Sequence, residues 1–119
     1  MKYLCIITIA CVTLISCSKE NTSISDVTIN NTITTSGHKF EPPILRCQVG
    51  DTVYFDLGSN HNAIEVSQEN YELGISTPLN GGFQFEFGAS GIFIPLETKT
   101  HYYVCTPHLR GMKAVIIVE

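Results

Sequence analysis

The strongest constraint on the fold is a series of short segments in which apolar and polar residues alternate, each ended by turn-forming residues. Three phenylalanines alternate with polar residues over 83–87, and Leu45, Cys47 and Val49 do the same. A period of two is typical of strands with one buried face. After residue 16 the best helical candidate is short, over 67–73. The sequence therefore predicts an all-β protein, a sandwich of two antiparallel sheets.

The start of the chain differs from the rest in hydropathy. Lys2 precedes an apolar run from Tyr3 to Ile15, which matches a secretory signal and is too short for an ordinary transmembrane helix. The run ends at Ser16-Cys17 and resembles the lipobox of bacterial lipoproteins, in which the cysteine is lipidated and becomes the new N-terminus. A plain secretory signal cut at a nearby small residue is the alternative. Both interpretations predict an exported protein.

The predicted organisation is a signal peptide over 1–16, a lipidated cysteine with a flexible tether over 17–25, and one domain over 26–119. The length fits a single domain. Order is expected to begin near Val27 and Ile29, which alternate with polar residues. The net charge of −4 disfavours a nucleic-acid partner.

The five cysteines do not form a disulfide framework. Cys5 and Cys11 belong to the signal segment, and Cys17 is assigned to lipidation. Only Cys47 and Cys105 then remain as side-chain thiols, which excludes a set of several bridges. Cys47 shares an apolar face with its strand neighbours and is expected to be a buried small hydrophobe.

The segment 105–112 combines three kinds of soft or borderline metal ligand. It places Cys105, His108 and Met112 in one tight loop. Two histidines, one cysteine and a distant axial methionine form the pattern of blue-copper electron-transfer sites. His61, which follows a turn-rich stretch, offers the second histidine. These four residues are the candidate metal ligands.

From about Phe40 to Val118 the chain resembles the plastocyanin/pseudoazurin-type cupredoxins. The motifs that carry the resemblance are Phe40-Glu41-Pro42, Val49-Gly50-Asp51-Thr52-Val53, His61-Asn62, Gly81-Gly82-Phe83, Tyr103-Val104-Cys105-Thr106-Pro107-His108 and Gly111-Met112-Lys113. The resemblance implies a Greek-key β-sandwich of about seven to eight strands. It also implies one type 1 copper ion per chain, cycling between Cu(II) and Cu(I) at one end of the sandwich.

The resemblance implies roles for the ligands. His61, Cys105 and His108 would be equatorial, and Met112 would be the weak axial ligand. Three residues separate His108 from Met112, one fewer than in plastocyanin and pseudoazurin. A site is still expected, with its axial distance and potential left open.

Three further residues are implied to support the ligands without binding the metal. Asn62 would connect the first-histidine loop to the cysteine loop, with Thr106 as its side-chain partner. Hydrogen bonds around the thiolate tune the potential of such sites. Pro107 has no N–H and would withhold one hydrogen bond from the cysteine sulfur.

The resemblance implies a monomeric electron carrier and not an enzyme. Its partners would be redox proteins such as c-type cytochromes or copper enzymes, and the exposed edge of His108 would be the electron's exit. The lipid would anchor it to a membrane, facing the periplasm or the cell surface. A copper storage, delivery or sensing protein is the alternative, disfavoured because Met112 is the only methionine after the signal segment. A metal-free adhesion sandwich is a third interpretation.

A few other polar residues have less specific interpretations. His38 is expected to be solvated, as are Glu65, Glu69 and Glu72. His101 stands where relatives often have a tyrosine, and its hydrogen bonding is left open.

Overall fold

The computed structural model describes residues 30–119. The predicted signal segment, Cys17, the tether and the expected onset of order at Val27 and Ile29 lie outside the described residues. The described part folds into nine strands and one short α-helix. None of its helical segments is long and apolar enough to cross a membrane. The all-β sandwich predicted from the sequence is confirmed.

The strands form two sheets. The four strands of the first sheet, in spatial order, are β2 (Lys39–Glu41), β1 (Thr32–Ser36), β4 (Val53–Asp56) and β7 (Ser90–Phe93). The five strands of the second sheet, in spatial order, are β3 (Ile44–Cys47), β9 (Lys113–Val118), β8 (Thr100–Val104), β5 (Ala63–Val66) and β6 (Gln84–Phe85). The helix α1 (Gln68–Leu73) follows β5, and a turn of 3-10 helix (Thr106–His108) follows β8.

Both sheets are mixed, so the antiparallel arrangement predicted from the sequence is wrong. β1 pairs with β4 in parallel, and β3 pairs with β9 in parallel. Parallel partners need a long crossover, which no local sequence signal reveals. Because β1 and β4 run in the same direction, both end near the turn that leads to His61. There the Thr35 hydroxyl oxygen accepts a hydrogen bond from the Gly58 N–H at 2.8 Å.

The core lies between the sheets and is built from alternating residues. β3 and β4 each bury every second residue, as the sequence pattern predicts. At the centre, the ring of Tyr103 lies 4.7 Å from that of Phe40 and 5.7 Å from that of Phe55, measured between centroids. Each such ring adds about 1.5–3 kcal/mol of burial energy. Cys47 is buried beside this cluster, which confirms its expected role.

The segment 83–87 is less regular than its alternation predicts. Only Gln84–Phe85 forms a strand, and Phe87 is exposed. The rings of Phe83 and Phe85 pack on Phe55, with centroids 5.3 and 4.4 Å away. The strand ends because the chain turns at Gly88, whose φ of 69° suits glycine, and the Gly88 N–H donates to the His61 carbonyl. Tertiary contact with the His61 turn therefore overrides the local pattern.

The short helix α1 occurs where the sequence predicts it. Its N-terminus is capped by the Ser67 hydroxyl, which accepts a hydrogen bond from the Asn70 N–H at 3.1 Å. It ends at Gly74 in the left-handed conformation. Tyr71 packs against Tyr102 with ring centroids 5.1 Å apart. The helix thereby covers the outer face of the second sheet close to the end of β8.

Candidate metal centre

Two loops at one end of the sandwich bring three metal-binding side chains together. The Cys105 sulfur lies 3.7 Å from Nδ1 of His61 and 3.7 Å from Nδ1 of His108. Their ligand atoms all lie within 4.8 Å of one another. Among residues 30–119, only these three histidine, cysteine or acidic side chains are grouped closely enough to hold a metal ion. The loops thus point two nitrogens and one sulfur at a common point.

The cysteine loop is held closed by its own backbone. The Cys105 N–H donates to the Met112 carbonyl at 3.0 Å, and the Met112 N–H donates to the His108 carbonyl at 2.9 Å. Between them, Pro107 lies in the first turn of the 3-10 segment, where its missing N–H costs nothing. Met112 is fully buried in the main core together with Cys105. The Met112 side chain is therefore buried below the loop surface, whereas His108 is only half-buried.

A pair of hydrogen bonds joins the cysteine loop to the His61 turn. The Thr106 N–H donates to Oδ1 of Asn62 at 2.9 Å, and Nδ2 of Asn62 donates to the Thr106 hydroxyl at 3.1 Å. Asn62 is buried, so these bonds are shielded from water. They hold in register two segments that lie 44 residues apart in the chain.

Burial shifts the pKa values of Cys105 and His108 toward their uncharged forms. Burial raises the pKa of the Cys105 thiol, and backbone N–H groups of Asn62 and His108 only partly oppose it. Desolvation lowers the pKa of His108, and the neighbouring charges of His38 and His61 lower it further. No carboxylate joins the donor group among the described residues. A cation is what would convert this thiol into a thiolate.

His38 lies closer to the site than its expected solvated position suggests. It is exposed, but its ring stacks on that of His108 with centroids 3.9 Å apart and planes 22° apart. It also meets the His61 ring edge-on at 6.1 Å. The sequence does contain a signal for the turn, since Gly37-His38 separates two extended segments. Nothing in the sequence indicates which loop this turn touches.

The surface around His108 is shallow and partly apolar. His108 itself is half-buried, Pro107 is exposed and Leu109 is half-buried. Open depressions border the His108 ring, lined by His38, Pro107 and their neighbours. A partner protein could approach the imidazole here without any rearrangement of the loop.

A second polar cluster lies in the interior of the sandwich. Glu65 is 3% exposed and His101 is 6% exposed, so the expected solvated position of Glu65 is wrong. Nδ1 of His101 lies 2.6 Å from one Glu65 carboxylate oxygen, and the Phe83 N–H donates to the other oxygen at 3.0 Å. Burial alone would raise the pKa of the Glu65 carboxyl. These hydrogen bonds outweigh burial, so the pKa is lowered.

A small cavity lies beside this buried pair. Within residues 30–119, Nε2 of His101 has no hydrogen-bond partner, and its ring lines a cavity of about 210 Å³. Gly82 lines the same cavity, and a Cβ there would lie only 3.0 Å from the Glu65 side chain. A side chain at position 82 would therefore displace Glu65.

The chain is similar to a curated protein and to solved structures. No protein-family model matches the chain. The chain is 32% identical over 90 residues to halocyanin from Natronomonas pharaonis; the match covers 71% of this chain and 50% of halocyanin. The chain thus spans about half the length of this curated relative.

Solved structures resemble the described fold. A reduced amicyanin variant is 27% identical with a TM-score of 0.55, over 74% of this chain and 80% of the amicyanin. A pseudoazurin from Sinorhizobium meliloti has a TM-score of 0.58 at 23% identity, over 74% of this chain and 72% of its own, and this is a likeness of fold.

Proposed function

Because the chain is a cupredoxin by its fold and by its similarity to amicyanin and halocyanin, we propose that its site binds one copper ion and that the protein carries single electrons. The observation that carries the proposal is the convergence of His61, Cys105 and His108 at one end of the sandwich. A carrier of single electrons needs no binding site for an organic substrate.

The donor set fits copper in distance and in chemistry. Metal–nitrogen and metal–sulfur bonds of about 2.0 and 2.3 Å require the two donor atoms to lie within about 4.3 Å of each other. The sulfur of Cys105 lies 3.7 Å from both imidazole nitrogens. Thiolate and imidazole ligands favour copper over the hard cations that carboxylates bind. Met112, at the base of the loop, is proposed as the weak axial ligand.

The chain's own residues limit rearrangement during electron transfer. Copper supplies the one-electron couple between Cu(II) and Cu(I). The backbone bonds of Met112 close the cysteine loop, and the Asn62–Thr106 bonds fix that loop against the His61 turn. With both loops held, the donors keep one arrangement in either oxidation state. The half-buried His108 ring is then the shortest protein path between the metal and an approaching partner.

The location and partners follow from the sequence and are part of the proposal. We infer that the mature chain is a monomer anchored through lipid on Cys17 and exchanges electrons with c-type cytochromes or copper enzymes outside the cytoplasm. The signal-like segment and the Ser16-Cys17 junction support the anchor. In the native host, mass spectrometry of the intact protein should show a diacylglyceryl adduct that Cys17→Ser removes. An unmodified, cleaved chain would contradict the anchor and leave the copper proposal untouched.

The proposed copper site is tested by spectroscopy of the domain after removal of the signal segment. Loading with Cu(II) should give an intense visible absorption from the copper–thiolate bond and a narrow copper hyperfine splitting in the EPR spectrum. Cys105→Ser should abolish the absorption, whereas Cys47→Ser, which changes a buried thiol outside the site, should keep it. A folded, copper-loaded domain without colour would overturn the proposal.

The alternative is a copper storage or delivery protein with the same site. Rapid, reversible reduction by a c-type cytochrome, faster than any release of the metal, would favour the electron carrier. Transfer of the ion itself to an acceptor, with no turnover of electrons, would favour the alternative.

A further inference from the structure

His38 sits at the tip of a tight hairpin beside the metal centre. β1 and β2 pair up to Ser36 and Lys39, so Gly37 and His38 alone form the turn. Gly37 has a φ of 55°, which suits the first position of a two-residue hairpin turn. A turn this short leaves little freedom in the direction from which the His38 side chain departs.

The hairpin is attached to the same turn that carries His61. The Thr35 hydroxyl accepts the Gly58 N–H at 2.8 Å, and the His61 N–H donates to the Gly58 carbonyl at 2.9 Å. A Cβ on Gly58 would lie 2.9 Å from the Thr35 hydroxyl oxygen and 3.4 Å from the His61 ring, so the contact is close. The position of His38 is therefore fixed relative to the metal-binding loops and does not depend on its own exposed ring.

The stacked geometry covers one face of His108. The ring centroids are 3.9 Å apart and the planes diverge by only 22°. Imidazole lone pairs lie in the ring plane, so the nitrogens of His38 are not directed at the centre to which Nδ1 of His108 points. The group of converging donor atoms accordingly contains His61, Cys105 and His108 without His38.

We propose that His38 is a positioning residue that holds the His108 ring in its metal-binding orientation by stacking on it. His108 is the outermost of the three donors, and rotation of its half-buried ring opens the site to solvent. The His38 ring blocks that rotation on one side. His38 thereby slows loss of the bound ion, and this part of the inference rests on the proposed copper site.

The test compares three variants of the folded domain. His38→Ala removes the stacking ring, His38→Phe keeps a flat ring but no nitrogen, and Ser36→Ala is the matched control on the same hairpin. The first measurement is the mobility of the His108 ring in the metal-free protein, by NMR relaxation of its labelled carbons. The second is the rate at which a chelator in excess removes Cu(I) from the loaded protein.

His38→Ala should increase ring mobility and accelerate copper loss roughly two- to tenfold, the range expected for loss of one aromatic pair. For His38→Phe and Ser36→Ala, the rate of copper loss should stay within about twofold of the parent rate, because both keep a stacked ring pair. Unfolding midpoints of all variants should agree, which separates positioning from a general loss of stability.

Two outcomes would overturn the inference. Equal ring mobility in the parent and His38→Ala would show that stacking restrains nothing. Copper loss from His38→Phe as fast as from His38→Ala would show that the imidazole nitrogens, and not the ring face, do the work. Failure of the proposed function is a separate result, since it would appear as a colourless parent protein while the ring mobility of the metal-free variants still answers the question.

Discussion

The described residues contain two histidine clusters that differ in the polar groups their side chains contact. In the interior, His101 meets the carboxylate of Glu65 at 2.6 Å, and the two groups compensate each other. At the end of the sandwich, His61 and His108 converge on the Cys105 sulfur with no carboxylate in the donor group of the described residues. The first cluster thus pairs a histidine with a carboxylate, whereas the second groups two histidines around a thiol.

From this difference we expect the first cluster to stabilise the fold and the second to hold the proposed metal ion. Removing one partner of a complete buried pair leaves an uncompensated group in a low-dielectric interior. Removing a donor from the second cluster would delete a proposed metal ligand and leave the Glu65–His101 pair in place. Stability should therefore depend on Glu65 and metal binding on Cys105, with little overlap between the two.

The largest expected effect is the gain in stability on metal binding. A ligand that binds only the folded state adds about 4 kcal/mol to the free energy of unfolding at a thousand times its dissociation constant. Urea unfolding with and without copper should show this gain in the parent and in Glu65→Gln, and not in Cys105→Ser. Loss of the gain in Glu65→Gln would mean that the two clusters are coupled.

The next effect concerns the interior pair. Glu65→Gln removes the charge opposite His101 and should lower the free energy of unfolding of the metal-free protein by about 3 kcal/mol. Glu97→Gln is the matched control, because Glu97 lines the same cavity but is exposed and pairs only with Lys99. It should change stability by no more than about 0.5 kcal/mol. Equal effects of the two substitutions would contradict a special role for the buried pair.

The Glu65–His101 pair also predicts that the free energy of unfolding depends on pH in the acid range. The pKa of the Glu65 carboxyl is lower in the folded state than in the unfolded chain. The contribution of Glu65 to the free energy of unfolding is therefore complete above its pKa in the unfolded chain, about 4.3. It is lost as the pH falls through its pKa in the folded state. Unfolding measured between pH 7 and pH 3 should show the parent and Glu65→Gln converging on the acid side. A constant difference across this range would contradict the assignment.

The smallest effect tests the link between the two metal-binding loops. Thr106→Val removes the hydroxyl that accepts from Asn62 but keeps the backbone N–H that donates to Oδ1 of Asn62. The loss of one hydrogen bond should cost about 1 kcal/mol. The visible absorption of the copper-loaded protein should shift in position and keep most of its intensity. A loss of colour would mean that this one hydroxyl is needed to form the site.

Features encoded in contiguous residues were predictable from the sequence. The loop from Cys105 to Met112 carries three candidate ligands within eight positions, and α1 has its capping serine and terminating glycine in sequence. His61 lies 44 residues from Cys105, and its candidacy depends on the turn-rich stretch before it, whereas its equatorial role comes from the family resemblance. The ligand assignments remain predictions until a metal-loaded protein is measured.

Features that depend on long-range contacts were not predictable. The parallel pairing of β3 with β9 joins distant parts of the chain, and alternation alone does not specify strand direction. Glu65 and His101 are 36 residues apart, and Glu65 resembles a surface carboxylate until the loop before β6 closes over it. His38 is predicted to be solvated because it lies beside Gly37 and Lys39, and these neighbours do not indicate its stacking on His108.

The parallel pairing of β1 with β4 also gives the domain a polarity. Both strands end beside the His61 turn, so the polypeptide enters β1 at the opposite end of that strand. If residues before Thr32 attached the chain to a surface, the His61 turn would lie on the side of the domain that faces away from that surface. In the proposed anchored protein, the length of chain between Cys17 and Thr32 would then set how far the candidate metal centre can reach toward a partner.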